Sequence, residues 1–515
     1  MLKFFICLLV TSSNGIQPSD VVISDEQLAS IFGTKKAPNY EVVSTAYSTN
    51  DNATNADVRV LQITSLNRDI RLYLEPVNGV LAGKDTPVWA VQSHRDAPLG
   101  VKYTQIPNAI NDAIQVYQDS HQKAAITSRC DENGNVHFEG TIGDNLVIRQ
   151  LPSELRVKLL RGRRSASLHN DFPQNFRTTY RDDLEYDHVL IEIPEMSVDR
   201  TREKTGPYVS KRGPSRPKRD MNVPATIFPQ ILVVIDYDIR LALPNSKALM
   251  QYILSFWNAV DLRYRVFENP NIRINIAGIV IPVDANATPY LTDHRFSDPE
   301  GLASVDADKA LNHSGRYFYD EMTNTNAKRL VLADNYDAIM IMTKLNLCNR
   351  EPAGNNPFDD CATLGYSFRG GACSVNAVES LVEAVSLVED RTGYTGIVPA
   401  AHELGHLFGA PHDGYKEANK LLCPSYGYIM SRSLTFNENL FIWSHCSAEY
   451  LKEFIHSPKA ECLFNEPHAG SIAPRILPGR ILSLHEQCKR IGASHACNVR
   501  FFLGWLDFVL CKTQI

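Results

Sequence analysis

The chain is expected to carry a mixed α/β sheet whose buried strands are joined by helical crossovers, with smaller units before and after it. Three observations predict this. Residues 231–237 (ILVVIDY) and 336–343 (YDAIMIMT) are short, nearly continuous apolar runs, as strands covered on both faces require, and 272–281 reads as another strand with alternating Ile272, Ile274 and Ile276. Between them, 246–267 places Leu249, Ile253, Phe256, Trp257 and Val260 at helical spacing, and 305–322 reads as a second helix. Strands alternating with long helices are the signature of a sheet with crossovers. The length, 515 residues, exceeds one core and suggests about two to four domains.

Composition is that of a globular protein, 44% hydrophobic and 21% charged, with 52 basic against 58 acidic residues. A net charge of −6 gives no reason to expect nucleic acid or an anionic membrane as partner. Residues 1–16 read as a secretory signal: Lys3 supplies the basic start, 4–10 (FFICLLV) the apolar stretch, and Ser12, Ser13 and Gly15 the small residues after it. No later stretch approaches the roughly 18 apolar residues of a membrane span. The expectation is a secreted, extracellular protein in which the cysteines, eleven in all, are free to form disulfides. Sequons for glycosylation stand at Asn52, Asn286 and Asn312.

From 17 to 219 the chain has short alternating runs, such as 58–63 and 146–148, that read as strands. Cys130 is its one cysteine. From 201 to 219 Lys, Arg, Pro, Gly and Ser dominate, the composition of an exposed linker. That linker ends in Arg216-Pro217-Lys218-Arg219, a site for a furin-like convertase; Arg161–Arg164 is a weaker one. Region 17–219 therefore reads as a β-rich propeptide cut after Arg219. Cys130 is the candidate for a cysteine switch, in which a thiolate fills the open position of a metal; a structural thiol is the other reading.

The residues around which the chain is organised are His402-Glu403-Leu404-Gly405-His406, followed by Gly409, Pro411, His412 and Asp413. Residues four apart share a helix face, so His402 and His406 present two imidazoles to one point. Gly409 allows the chain to leave the helix through a left-handed backbone, and His412 returns as a third ligand. Three imidazoles with an open fourth position suit a catalytic zinc, and Glu403 is placed to serve as general base to a water there. Pro399 is tolerated only in a first turn, so the helix should start between 395 and 399. For 377–390, a strand and a run-in to this helix are both open.

The string His402–Asp413, with the Asp directly after the third His, resembles the metzincin zinc proteases and among them the reprolysins or adamalysins (ADAM and ADAM-TS proteins). Other segments share the likeness. Residues 361–373 resemble the family's edge strand, 427–431 its methionine turn, and 443–454 its C-terminal helix. The resemblance implies a zincin-like catalytic domain over 220–466: a mostly parallel sheet with one antiparallel edge strand, long helices and an active-site helix. It implies that Leu364, Gly365 and Tyr366 lie on the strand that pairs with substrate, that Met430 floors the zinc site, and that the disulfides are Cys373–Cys462, Cys423–Cys446 and Cys348–Cys361. It also suggests a calcium site with Asp337 and Asn465, although Ile231, which cannot bind calcium, stands at the acidic ligand's position. Residues 467–515, with Cys488, Cys497 and Cys511, resemble a truncated cysteine-rich or disintegrin-like tail. The size and tail look similar to secreted tick salivary metalloproteases. The expected function is that of a secreted zinc endopeptidase made as a zymogen and acting on extracellular proteins, matrix or plasma proteins among them; the alternative is a secreted binding protein that uses the protease scaffold or the tail without catalysis.

Overall fold

The structure is a computed structural model. It describes residues 28, 32, 37–49, 58–65, 68–77, 81–97, 99–110, 114–130, 136–152, 155, 186–193, 199–204, 222–243, 245–298, 301–323, 336–349, 360–415, 423–434, 439–467, 495–497 and 510–512. The signal stretch 1–16, Asn52, Arg161–Arg164, Arg219 and Cys488 lie outside the described residues.

The first ten strands are β1 (Tyr40–Thr49), β2 (Arg59–Thr64), β3 (Asp69–Pro76), β4 (Val88–Ser93), β5 (Val101–Gln105), β6 (Ile114–Asp119), β7 (Ala124–Cys130), β8 (Val136–Ile142), β9 (Leu146–Gln150) and β10 (Tyr186–Glu192). Eight of them close a barrel in the order β1-β10-β9-β8-β7-β6-β3-β2. Closure pairs every edge, and the barrel interior is filled by Val43, Leu61, Leu72, Ile126, Phe138 and Leu190. Cys130 ends β7 opposite Val136.

The remaining hairpin leaves the barrel altogether. After β11 (Asp199–Lys204) and β12 (Thr226–Ile227), the zinc half supplies β13 (Gln230–Ile235), β14 (Asn271–Ile272), β15 (Asn275–Pro282), β16 (Arg295–Ser297), β17 (Ala303–Asp306), β18 (Ala338–Thr343), β19 (Asn346–Asn349) and β20 (Asp360–Phe368). It continues with β21 (Val375–Asn376), β22 (Leu381–Val382), β23 (Val385–Glu389) and β24 (Ser433–Leu434). The main sheet runs β16-β17-β19-β20-β23-β18-β13-β15-β4-β5. β23, β18, β13 and β15 are parallel, and β20 is antiparallel to β23. Residues 385–389 are buried throughout, so the open question over 377–390 resolves as strand. At the far edge β4 pairs parallel with β15, Trp89 opposite Val280, and β5 closes the hairpin. The expected propeptide and zinc domain thus share one sheet across the 219/220 boundary. The physical reason is that β15 would otherwise present unpaired N–H and C=O groups at its edge.

The exposed linker expected over 201–219 also needs correcting at its start. Residues 199–204 form β11, which lies parallel to β20 (Arg202 opposite Tyr366, Lys204 opposite Phe368) and antiparallel to β24. Strand pairing is a backbone interaction, so a charged, apolar-poor sequence does not forbid it.

Among the described residues there are five α-helices of six residues or more: α1 (Tyr237–Ala242), α2 (Ser246–Tyr264), α3 (Ala307–Thr323), α4 (Ile397–Leu407) and α5 (His445–Ile455). Asp236 caps α1 and so stops β13 short of Tyr237. In α3 the expected start at 305 is instead the end of β17, and the Asp306 carboxylate accepts from the Lys309 N–H. α2 is buried from Leu249 to Tyr264. Leu249, Ile253, Phe256, Trp257 and Val260 join the core, each contributing about 1.5–3 kcal/mol. Its polar residues Gln251, Ser255, Asn258 and Asp261 turn to the barrel: Arg129 donates to Gln251 at 2.8 Å, Ser255 to the Glu139 carbonyl at 3.1 Å, Asn258 to the Tyr117 carbonyl at 2.8 Å, and Gln118 to Asp261 at 3.1 Å.

Three disulfides brace the zinc half: Cys348–Cys361, Cys373–Cys462 and Cys423–Cys446. Cys373–Cys462 spans 89 residues, a loop for which chain entropy gives about 4.6 kcal/mol. In the tail, β25 (His495–Cys497) and β26 (Leu510–Lys512) pair as a hairpin. Among the described residues no helix is long and apolar enough to cross a membrane.

Candidate metal centre

Helix α4 carries the centre. It opens at Gly396, whose N–H donates to Asp390 at 3.1 Å, and Pro399 is its third residue, where a missing N–H costs nothing. The Tyr264 hydroxyl of α2 holds it by donating to the Ala401 carbonyl at 2.8 Å, and the Trp443 indole donates to the neighbouring Arg263 carbonyl of α2 at 2.8 Å. Gly405 is required by packing. A Cβ there would lie 2.8 Å from Met430 Sδ and 3.0 Å from the Trp443 ring. Met430 is fully buried, an apolar floor beneath the helix. After Leu407 the chain turns through Gly409 at φ +89°, the left-handed conformation that glycine takes cheaply.

The turn brings His412 back to His402 and His406. All three are buried. Nε2 of His406 stands 3.0 Å from Nε2 of His402 and 3.2 Å from Nε2 of His412. Nδ1 of His402 donates to the Ile429 carbonyl at 2.5 Å and Nδ1 of His406 to the Ala410 carbonyl at 2.7 Å. A carbonyl can only accept, so each of these rings carries its proton on Nδ1 and turns an Nε2 lone pair inward. Lone pairs this close repel unless a cation lies among them. Nitrogens about 2.0–2.1 Å from a tetrahedral zinc stand about 3.3–3.4 Å apart, so the cluster fits zinc with a small outward shift. Burial pushes the His402 imidazole down to about 4 and holds His406 and His412 well below the usual histidine range. The rings are therefore neutral, the form that binds metal.

Glu403 is fully buried between this cluster and β20. The Ser367 hydroxyl donates to its Oε2 at 2.5 Å. Gly365 presses on the same side chain, since a Cβ there would fall 2.5 Å from Glu403 Cγ. Gly365 and Tyr366, with Leu364, lie on β20 where the sequence places the substrate strand. Sequence reasoning missed Ser367; the alternation of small residues, Gly365-x-Ser367, was its only signal. It also passed over Ser444 and Ser447, whose hydroxyls donate to Asp413 at 2.5 and 2.9 Å and so tie the third ligand's loop to α5.

His445 lies outside the centre, exposed and bonded to Glu449 at 3.1 Å. The residues expected at a calcium site also lie apart from it. Asp337 lies beside the Cys373–Cys462 disulfide, accepts from the Gln230 N–H at 2.8 Å, and is raised to about 7 by burial. Asn465 follows the last 3-10 turn, and Ile231 is core.

Three neutral, inward-facing imidazoles, a buried glutamate next to the first of them and an adjoining edge strand define a zinc metallopeptidase centre. Residues 358–467 match the model of the reprolysin (M12B) family zinc metalloproteases. Over 478 residues the chain is 33% identical to a Bombyx mori protein named "A disintegrin and metalloproteinase with thrombospondin motifs like", covering 85% of this chain and 66% of that one. It is 26% identical over 357 residues to venom metalloproteinase 3 of Eulophus pennicornis, covering 68% and 73%. It is 36% identical over 209 residues to human "A disintegrin and metalloproteinase with thrombospondin motifs 18", covering 40% and 15%. The chain carries a reprolysin-family zinc metalloprotease domain, and His402, His406 and His412 are its zinc site. It spans just under two thirds of the Bombyx protein's length and far less of the human one.

Proposed function

We propose that the chain is a secreted zinc endopeptidase, made as a zymogen, that hydrolyses extracellular proteins. The observation that carries this reading is the convergence of three neutral imidazoles beside Glu403 under the edge of β20. Zinc bound there supplies a Lewis acid for the scissile carbonyl and lowers the pKa of water at the centre. Glu403 takes a proton from the attacking water and returns it to the departing amine. β20 receives the substrate backbone by strand addition, with specificity set by side-chain pockets along it. Export is supported by the three disulfides and by the venom naming of one relative.

Residues 17–219 act as the propeptide in this reading, and β11 is its inhibitory segment. It lies against β20, which substrate must reach, so the uncut chain obstructs its own cleft. Latency by this route needs no thiol from Cys130 at the metal. A furin-like convertase cutting after Arg219 would separate β11 from the zinc domain. Convertase treatment should give a chain that begins at Asp220 and gains chelator-sensitive peptidase activity. Full activity in chains that still begin near residue 17 would contradict it.

A further inference from the structure

We infer that Ser367 is a positioning residue: through its hydroxyl it holds the Glu403 carboxylate in the orientation that general-base chemistry needs. Glu403 has a long side chain with several rotatable bonds, so helix geometry alone leaves its carboxylate orientation open. The Ser367 hydroxyl fixes it, at 2.5 Å from Oε2 and 3.3 Å from the Glu403 carbonyl. A hydrogen bond to a carboxylate is among the stronger ones available to a neutral donor. Ser367 is itself fully buried, so no water competes for its proton.

The strand is built for this contact. Residues two apart on a strand share a face, so Gly365 and Ser367 both turn toward α4. Gly365 leaves the room in which the carboxylate lies, and Ser367 supplies the donor at its end. The position of Ser367 is set by its backbone, which is opposite Ser386 on β23 in the zinc half itself. Its hydroxyl is therefore not needed to hold the strand, and removing it should leave the fold in place.

The inference rests on the peptidase reading, and the test separates the two. In the convertase-treated chain, Ser367→Ala should lower kcat about tenfold, with KM, zinc content and Tm close to wild type. In a Glu403→Gln background the same change should have no further effect on kcat, because the amide still accepts the bond but the general base it positions is already gone. A kcat within twofold of wild type, a loss that persists undiminished in the Glu403→Gln background, or a change confined to KM, zinc content or Tm would overturn the assignment of Ser367. A wild-type chain that cleaves no peptide would overturn the peptidase reading instead.

Discussion

Glu403→Gln in the processed chain is expected to lower kcat by about 10³-fold, the scale of a lost general base. Zinc content and Tm should stay near wild type. Gln fills the same volume, and its amide oxygen still accepts from the Ser367 hydroxyl that now bonds Oε2. His402 and His406 keep the Ile429 and Ala410 carbonyls and the Met430 floor, and the His412 loop keeps the bonds of Asp413 to Ser444 and Ser447, none of which involves Glu403. Glu403→Ala should lose as much activity and, by leaving a cavity in a fully buried site, some stability as well. Steady-state kinetics with metal analysis on both variants checks this. Zinc loss that tracks activity loss would move the role of Glu403 from chemistry to the integrity of the site.

The second large effect concerns latency. In a chain kept uncut by Arg219→Ala, replacing Thr201 and Arg202 together by proline should raise peptide hydrolysis by about tenfold or more. Successive N–H groups of a strand point to opposite edges, and proline has none, so the pair of substitutions removes one donor toward β20 and one toward the opposite edge. β11 pairs β20 from Arg200 to Lys204 and β24 only at Asp199 and Arg200, so the donor lost toward β20 costs about 1 kcal/mol and the proline rings add to it by breaking the extended pairing. The assay compares uncut wild type with the double variant on one peptide. If both remain silent, the block lies in another part of residues 17–219.

How much of this was legible in the sequence differs by the range of the interaction. The zinc ligands were legible because a helix fixes His402 and His406 relative to each other locally, and one glycine turn of known handedness returns His412. The buried strands β13, β15 and β18 were legible because continuous apolar runs have few other places to go. β11 was not: Asp199-Arg200-Thr201-Arg202-Glu203-Lys204 is held in the sheet by backbone pairing, to which its charges are indifferent. The transfer of β4 and β5 from the barrel to the main sheet was hidden for a related reason, since the partner of Trp89, Val280, lies far along the chain and composition does not record pairing. Ser367 escaped notice because its contact with Glu403 exists only once β20 packs on α4. The burial of the polar face of α2 was hidden for the same reason. Its polar stripe, Gln251, Ser255 and Asn258, is buried against the barrel and not turned to water.

The central claim is that three buried imidazoles hold one zinc on which peptide hydrolysis depends. The most direct measurement is the zinc content of the processed chain beside its rate of peptide cleavage, before and after a chelator and again after zinc is restored. The expected result is one zinc per chain, loss of metal and activity together on chelation, and recovery of both on adding zinc. Cleavage that survives complete removal of zinc, or a stoichiometric zinc that persists when His402, His406 and His412 are all replaced by alanine, would contradict it.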